Sequence, residues 1–197
     1  MAATTDIRFT GEDWYGRDFG AEAFERCVFV DCDFTEATTA GAVFDRCEFL
    51  GVALNSSVHT TSRFDNCVVR DSSLFGATFR QCKLTGTQFR TTSLRPLTVQ
   101  GGLWSWVNFF GADLRGVDFG EVILEESDFG DTRLEKVSFR GANLVNATLR
   151  GATITGVDFT RADLSGVQLA GLDWRGTRID TQLALQIAQA QGATIEF

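Results

Sequence analysis

"FRGANLVNATLRGATITGVDFTRADLSG", residues 139–166, returns a large apolar residue at every fifth position: Phe139, Leu144, Leu149, Ile154, Phe159 and Leu164. Neither regular secondary structure has that period. A strand buried on one face repeats every second residue, and a helix every 3.6. In an extended segment, residues two apart share a face. The small residue two before each large one (Ala142, Ala147, Ala152, Val157, Ala162) therefore points inward with it, and Asn143, Asp158 or Asp163 between them points out. Five is odd, so a straight strand would throw the next large residue to the opposite face. The register survives only if the chain turns a corner in each repeat. A chain that turns steadily one way winds into a coil, and coils stack about 4.8 Å apart with strand-like pairing.

The same register runs from Phe9 to Ile179, 35 positions without an insertion or deletion. Only Thr39 and His59 on it are not apolar, and 15 of the 18 Phe of the chain lie on it. No linker fits inside such a run, so the chain reads as one domain. In the first repeats the small inward position holds Glu12, Arg17 and Glu22. Unpaired charges in a tight core cost several kcal/mol, so residues 1–24 are expected to form an irregular first coil or cap. Regular coils are expected over 25–180, and a different structure over 181–197.

Period five does not fix how many repeats close one coil. Residues 109–144 alternate Phe and Leu, and Cys27, Cys47 and Cys67 are spaced by 20. Both patterns are compatible with four repeats per coil. The stretches "ADLRG" (112–116), "ANLVN" (142–146) and "ADLSG" (162–166) resemble the A(D/N)LXX motif of the pentapeptide repeat family. The resemblance covers about 7–180. It implies an all-β fold, a right-handed quadrilateral β-helix with four repeats per coil. Right-handed winding is also the general expectation for parallel crossovers.

The register loses its meaning in "RIDTQLALQIAQAQGATIEF" (178–197). Asp180 or Thr181 can cap a short helix and Gly192 can stop it. Leu183, Ala184, Ile187, Ala188 and Gln191 share one helical face, with Leu185 off it, and a short strand over 193–197 can follow. The segment is either a cap over the last coil or a homodimer contact through Leu183, Leu185, Ile187, Ala188 and Phe197. The resemblance favours the dimer.

Composition excludes several function classes. A formal net charge of −8 and a pI near 4.7 disfavour nucleic-acid binding, because phosphate would repel the chain; a basic protein surface suits it better. Met1–Thr10 has no apolar signal core, and no stretch approaches the roughly 18 apolar residues of a membrane span. The expectation is a cytoplasmic protein with no membrane contact. All five Cys (Cys27, Cys32, Cys47, Cys67, Cys82) occupy the small inward position and read as packing residues. His59 is the only His, takes a large-residue slot, and has neither a second His nor a nucleophile motif beside it. No metal, cofactor or catalytic residue is expected. Carboxylate pairs such as Glu125–Glu126 recur along a uniform wall, and no insertion builds the groove in which a glycosidase places its two carboxylates.

The least regular stretch is "LRPLTVQGGLWSWVNFF" (94–110). Pro96 falls at a corner, and Trp104 is oversized for its slot, with Gly102 beside it to make room. Leu103, Trp106, Phe110 and Ile123 are either an exposed apolar contact patch or cross-coil packing. Charge is uneven. Residues 61–100 carry two acidic and six basic residues, whereas 101–135 carry eight acidic and two basic. The acidic band, Asp113, Asp118, Glu121, Glu125, Glu126, Asp128, Asp131 and Glu135, is the expected partner-binding surface, because inward slots are already taken. About eight regular coils make a rod of roughly 38 Å, and a tail-to-tail pair about 75 Å, or some 22 base pairs of duplex. The charge match is poorer, about one net charge per 5 Å against one per ~1.7 Å of DNA.

Within the family the chain is most similar to the mycobacterial (Mfp-type) fluoroquinolone-resistance proteins and, more distantly, to the Qnr type. The shared features are the short chain, the "RPLT" interruption at 95–98, the loopless register and the "QLALQIAQAQG" helix of 182–192. That resemblance implies an acidic, non-enzymatic, rod-shaped homodimer that mimics DNA, binds DNA gyrase and lessens quinolone action. A scaffolding solenoid with an unrelated protein partner is the alternative from another class.

Overall fold

The computed structural model describes residues 3–196; Phe197, assigned above to the dimer contact, lies outside them. Every parallel pairing joins a residue to the one 20 positions later, from Thr4↔Phe24 to Asp158↔Arg178. Four pentads therefore close each coil, and the fold is a right-handed quadrilateral β-helix. Corners fall at residues whose numbers end in 1 or 6. Nearly all of these have positive φ, both glycines such as Gly51 and Gly151 and side-chain-bearing residues such as Glu36, Glu126 and Asn146. This turn in each pentad keeps an odd repeat facing inward. Pro96 stands at one corner; its ring holds φ negative, and the Arg95–Pro96 bond is cis.

Four inward columns result, and they define four faces: the Phe24 face (with Phe44, Trp104 and Leu124), the Phe29 face (Phe49, Phe109, Phe129), the Phe34 face (Leu74, Leu114, Leu134) and the His59 face (Phe79, Phe119, Phe139). The Phe24 face lies opposite the Phe34 face. Rings in one column stack face to face between coils. Centroids are 5.3 Å apart for Phe9–Phe29, 4.9 Å for Phe29–Phe49 and 4.8 Å for Phe44–Phe64. Each such ring is removed from water and makes an aromatic contact besides. Up to Leu103 three faces carry short strands, such as Val28–Val30, Val43–Asp45 and Val58–Thr60. The Phe34 face, and every face beyond Leu103, is joined by isolated bridges such as Asp113↔Arg133 and Asp128↔Thr148.

The first coil differs from the expectation of irregularity. It pairs in the common register, through Arg8–Thr10 with Val28–Val30 and through Asp13↔Asp33. What departs is the inward position. Glu12 is exposed, while Arg17 and Glu22 are half-buried and bonded to each other at 2.8 Å. The Arg17 guanidinium also lies 4.2 Å from the Phe19 ring centroid. Pairing and cation–π contact remove the desolvation objection to placing these charges at the end of the core.

At the other end, Thr181–Ala190 is an α-helix whose N-cap is Asp180; its carboxylate accepts from the Leu183 amide at 3.0 Å and from the Arg161 amide at 2.9 Å. No helix among the described residues is long and apolar enough to cross a membrane. Midway, Trp104 is fully buried. Gly102 beside it has φ +112°, and a Cβ there would lie 2.3 Å from the Cys82 carbonyl oxygen and 3.2 Å from Trp104 Nε1. Glycine is thus required both by the backbone and by the indole.

Candidate partner-binding surface

The 20-residue coil decides where each carboxylate of the acidic band stands. Glu125 is on the Phe24 face and Asp128 on the adjoining Phe29 face, with Glu126 at the corner between them and Glu121 and Asp131 at the corners that flank the pair of faces. Asp118 is on the His59 face. Asp113 and Glu135 are on the Phe34 face, opposite Glu125. The band is therefore a belt around the rod, and five of its eight members share one side.

On that side the carboxylates are free of cations. None of Glu121, Glu125, Glu126, Asp128 and Asp131 is in an ion pair among the described residues. Their polar contacts are neutral. Glu126 accepts from Trp106 Nε1 at 3.0 Å, Glu125 from Asn143 Nδ2 at 2.6 Å, and Asp128 from the Gly130 amide at 2.8 Å. An Asp one residue before the large position, accepting from the amide two residues on, recurs at Asp18, Asp33, Asp118 and Asp163. These carboxylates thus brace the turn as well as charge the wall. Apolar groups adjoin them. Leu103 and Ile123 are paired neighbours on the Phe24 face, and Trp106 is 53% exposed at its corner. Phe110, 58% exposed, stands across the Phe29 face from Trp106.

The opposite side is different. Asp113 lies 2.6 Å from Arg115, 3.3 Å from Arg95 and 3.7 Å from Arg133. The hydrogen-bonded Arg115 side chain, the Arg115 amide and the charge of Arg95 hold its carboxyl far below the usual aspartate range. Glu135 lies 3.7 Å from Arg133. These two carboxylates are counter-ions of an arginine cluster and cannot greet a basic partner. The sequence count grouped them with Glu125 because neighbours across coils are 20 residues apart, not adjacent in number. Spacings of 20 (Asp113–Arg133, Arg95–Arg115, Arg115–Glu135) carry that signal.

Two other groups have structural explanations. His59 is fully buried, with Nδ1 3.0 Å from Thr39 Oγ1 and Nε2 3.0 Å from Ser57 Oγ. Thr39 is in turn 2.8 Å from Ser62 Oγ. Both polar residues of the apolar register thus satisfy each other one coil apart, and burial lowers the His59 pKa to about 3. The five cysteines are free and buried; their thiols donate to carbonyl oxygens, as Cys67 does to Phe44 at 3.3 Å. Among the described residues no group of three or more His, Cys, Asp or Glu is placed to hold a metal.

Of the helix residues assigned to a dimer contact, Leu183 is 3% exposed within its own chain and Ile187 packs on the same core. Both serve the cap over the last coil. Leu185 and Ala188 are half-buried.

The family profile described as Pentapeptide repeats matches residues 62–95, 105–141 and 142–178, more than half of the chain, as eight copies. The pentapeptide repeat protein MfpA of Mycobacterium tuberculosis is 34% identical over 118 residues, 60% of this chain and 56% of that protein. The match thus spans little over half of the curated relative. The structure of QnrB1, described as a plasmid-mediated fluoroquinolone resistance protein, superposes with a TM-score of 0.62 at 21% identity over 98% of this chain and 99% of that one. HetL, a pentapeptide repeat protein involved in heterocyst differentiation regulation from the cyanobacterium Nostoc, superposes with a TM-score of 0.61 at 17% identity, over 89% of this chain and 86% of that one.

Proposed function

This chain belongs to the pentapeptide repeat family, and from that premise we propose that it is a non-enzymatic protein that binds DNA gyrase by mimicking DNA, modulating the enzyme and protecting it from fluoroquinolones or related toxins. The observation that carries the reading is the side formed by Glu121, Glu125, Glu126, Asp128 and Asp131. Its carboxylates have no ion-pair partner of their own among the described residues and stand together on about half of one coil, residues 121–131, of a regular wall. A protein surface built to hold duplex phosphates is basic, and such a wall meets it with complementary charge, raising association rate and specificity. Trp106 and Ile123 beside the carboxylates add apolar contact that phosphate lacks. The sequence likeness to MfpA supports the kind of function.

Leu185 and Ala188 are the helix residues left for an end-to-end homodimer that carries two such acidic sides. The protein acts in the cytoplasm, where gyrase is. Supercoiling by purified gyrase, with and without a fluoroquinolone, tests the reading. Inhibition of supercoiling, or relief of drug action, is expected on adding the protein; absence of both, with no binding, would sink it.

A second reading is a scaffolding solenoid with an unrelated protein partner. It is favoured by the fold likeness to HetL being as close as that to QnrB1. Capture of a partner other than a topoisomerase by the purified chain, with gyrase absent from the captured material, would support it.

A further inference from the structure

Large exposed hydrophobic side chains are few among the described residues, and half of them gather at one place. Of Ile7, Tyr15, Phe75, Trp106, Phe110 and Ile123, the last three lie on the Phe24 and Phe29 faces beside the open carboxylates. Trp106 and Phe110 stand at the two ends of one outward row of the Phe29 face, and both lean toward the next coil. The Trp106 indole donates to Glu126 at 3.0 Å. The Phe110 ring lies over Gly130, where a Cβ would be 2.9 Å from its Cδ2, and Gly130 is buried. Asp128 stands between Glu126 and Gly130. One of its oxygens accepts from the Gly130 amide at 2.8 Å; the other is 3.5 Å from Asn108 Nδ2, at the edge of bonding distance. A carboxylate with a spare oxygen is thus framed by two exposed rings.

The coil itself does not call for Trp106. It occupies a corner at φ +57° and is the only aromatic residue with positive φ among the described residues; the other such corners hold glycine or a polar side chain. Glycine takes that conformation without strain, and a bulky residue does not. Nε1, the one polar atom of the side chain, is engaged by Glu126, so the surface that Trp106 offers at 53% exposure is ring carbon.

Resting on the reading that the acidic side meets a basic partner, we propose that Trp106, Asp128 and Phe110 form a socket for one arginine side chain of that partner. Its guanidinium stacks on the indole and donates to the spare oxygen of Asp128, while its methylene stem lies against Phe110. The row from 126 to 130 is about 13 Å long as extended chain, the room that one arginine and the two rings fill. The chemistry selects arginine over the other candidates. A guanidinium is planar and weakly hydrated, and it stacks on an aromatic face while still donating in its own plane. A lysine ammonium is a strongly hydrated point charge that does not combine the two contacts. An apolar side chain would cover Asp128 without giving it a partner. Tryptophan and arginine are also the side chains on which interface energy concentrates.

A test of the socket needs no gyrase. Blocked tetra-arginine and tetralysine amides carry equal charge, so acidity alone treats them alike. Their binding to the full chain is measured at low salt by NMR shifts of the indole N–H groups. The native chain is expected to bind tetra-arginine at least about threefold more tightly than tetralysine. Trp106→Gly, which suits the corner, is expected to bring the two peptides to equal affinity with the urea midpoint equal to or above that of the native chain. Asp128→Asn, whose amide oxygen still accepts from Gly130, is expected to weaken tetra-arginine more than tetralysine. Equal affinities in the native chain would overturn the proposal, and so would an arginine preference that survives Trp106→Gly. Gyrase binding, measured separately, keeps the two readings apart. An arginine preference in a chain that does not bind gyrase retains the socket and removes the gyrase reading; gyrase binding without that preference does the reverse.

Discussion

Glu126 and Asp113 belong to one acidic stretch of sequence and end in opposite surroundings. Glu126 stands on a side whose five carboxylates are in no ion pair among the described residues, and accepts a hydrogen bond from Trp106. Asp113 stands across the rod among Arg95, Arg115 and Arg133. The difference teaches that, in a solenoid, charge must be counted down columns spaced by 20 residues before it is counted along the chain. Eight carboxylates in a row suggested one acidic surface. Projected onto the coil they become an open acidic side, a single Asp118, and two counter-ions of an arginine cluster.

The comparison can be broken by exchanging charge at the two sites. Asp113→Lys leaves the three arginines without their shared counter-ion and adds a fourth cation. A loss of about 2 kcal/mol in folding stability is expected from urea denaturation, an intermediate figure because the site is partly solvated. Glu126→Lys, on the open side, is expected to change stability by less than about 0.5 kcal/mol. Equal costs at the two positions would mean that the arginine cluster has no energetic weight.

Titration sharpens the contrast and separates it from the core. The depressed pKa of Asp113 means that its stabilising charge is fully present above the ordinary aspartate pKa and is lost only as pH falls below it. His59 acts in a different window. Its folded-state pKa is lowered to about 3, below that of the unfolded chain, so the unfolded state binds the proton first. The stability it contributes is complete above the unfolded value of about 6.5 and falls by about 2 kcal/mol by pH 5. Chemical denaturation between pH 7 and 5 is expected to show that loss in the native chain and not in His59→Phe. An equal loss in both would assign the acid sensitivity elsewhere.

Much of the fold was legible because one register carries it. The 35 unbroken positions from Phe9 to Ile179 leave no freedom for another architecture, and Gly102 beside Trp104 could be read as space for the indole. The number of repeats per coil was not legible from period five. It rested on the family motif, and the pairing of each residue with the one 20 later now supplies it physically. The first coil was misjudged because Arg17 and Glu22 were weighed as separate charges, though a spacing of five places them on successive inward positions where they can pair. Leu183 was assigned to a dimer contact because helical periodicity cannot tell which side of an amphipathic helix meets its own core.

The central claim is that the open acidic side, and not acidity in general, meets gyrase. Gyrase affinity of the quadruple variant Glu121→Lys, Glu125→Lys, Glu126→Lys, Asp128→Lys, measured against the native chain across salt concentration, tests it most directly. The account predicts at least a tenfold loss, greatest at low salt, with the circular dichroism spectrum retained and only a small fall in urea midpoint from the lost Asp128–Gly130 turn bond. An affinity equal to that of the native chain at every salt concentration, in a folded variant, would contradict it.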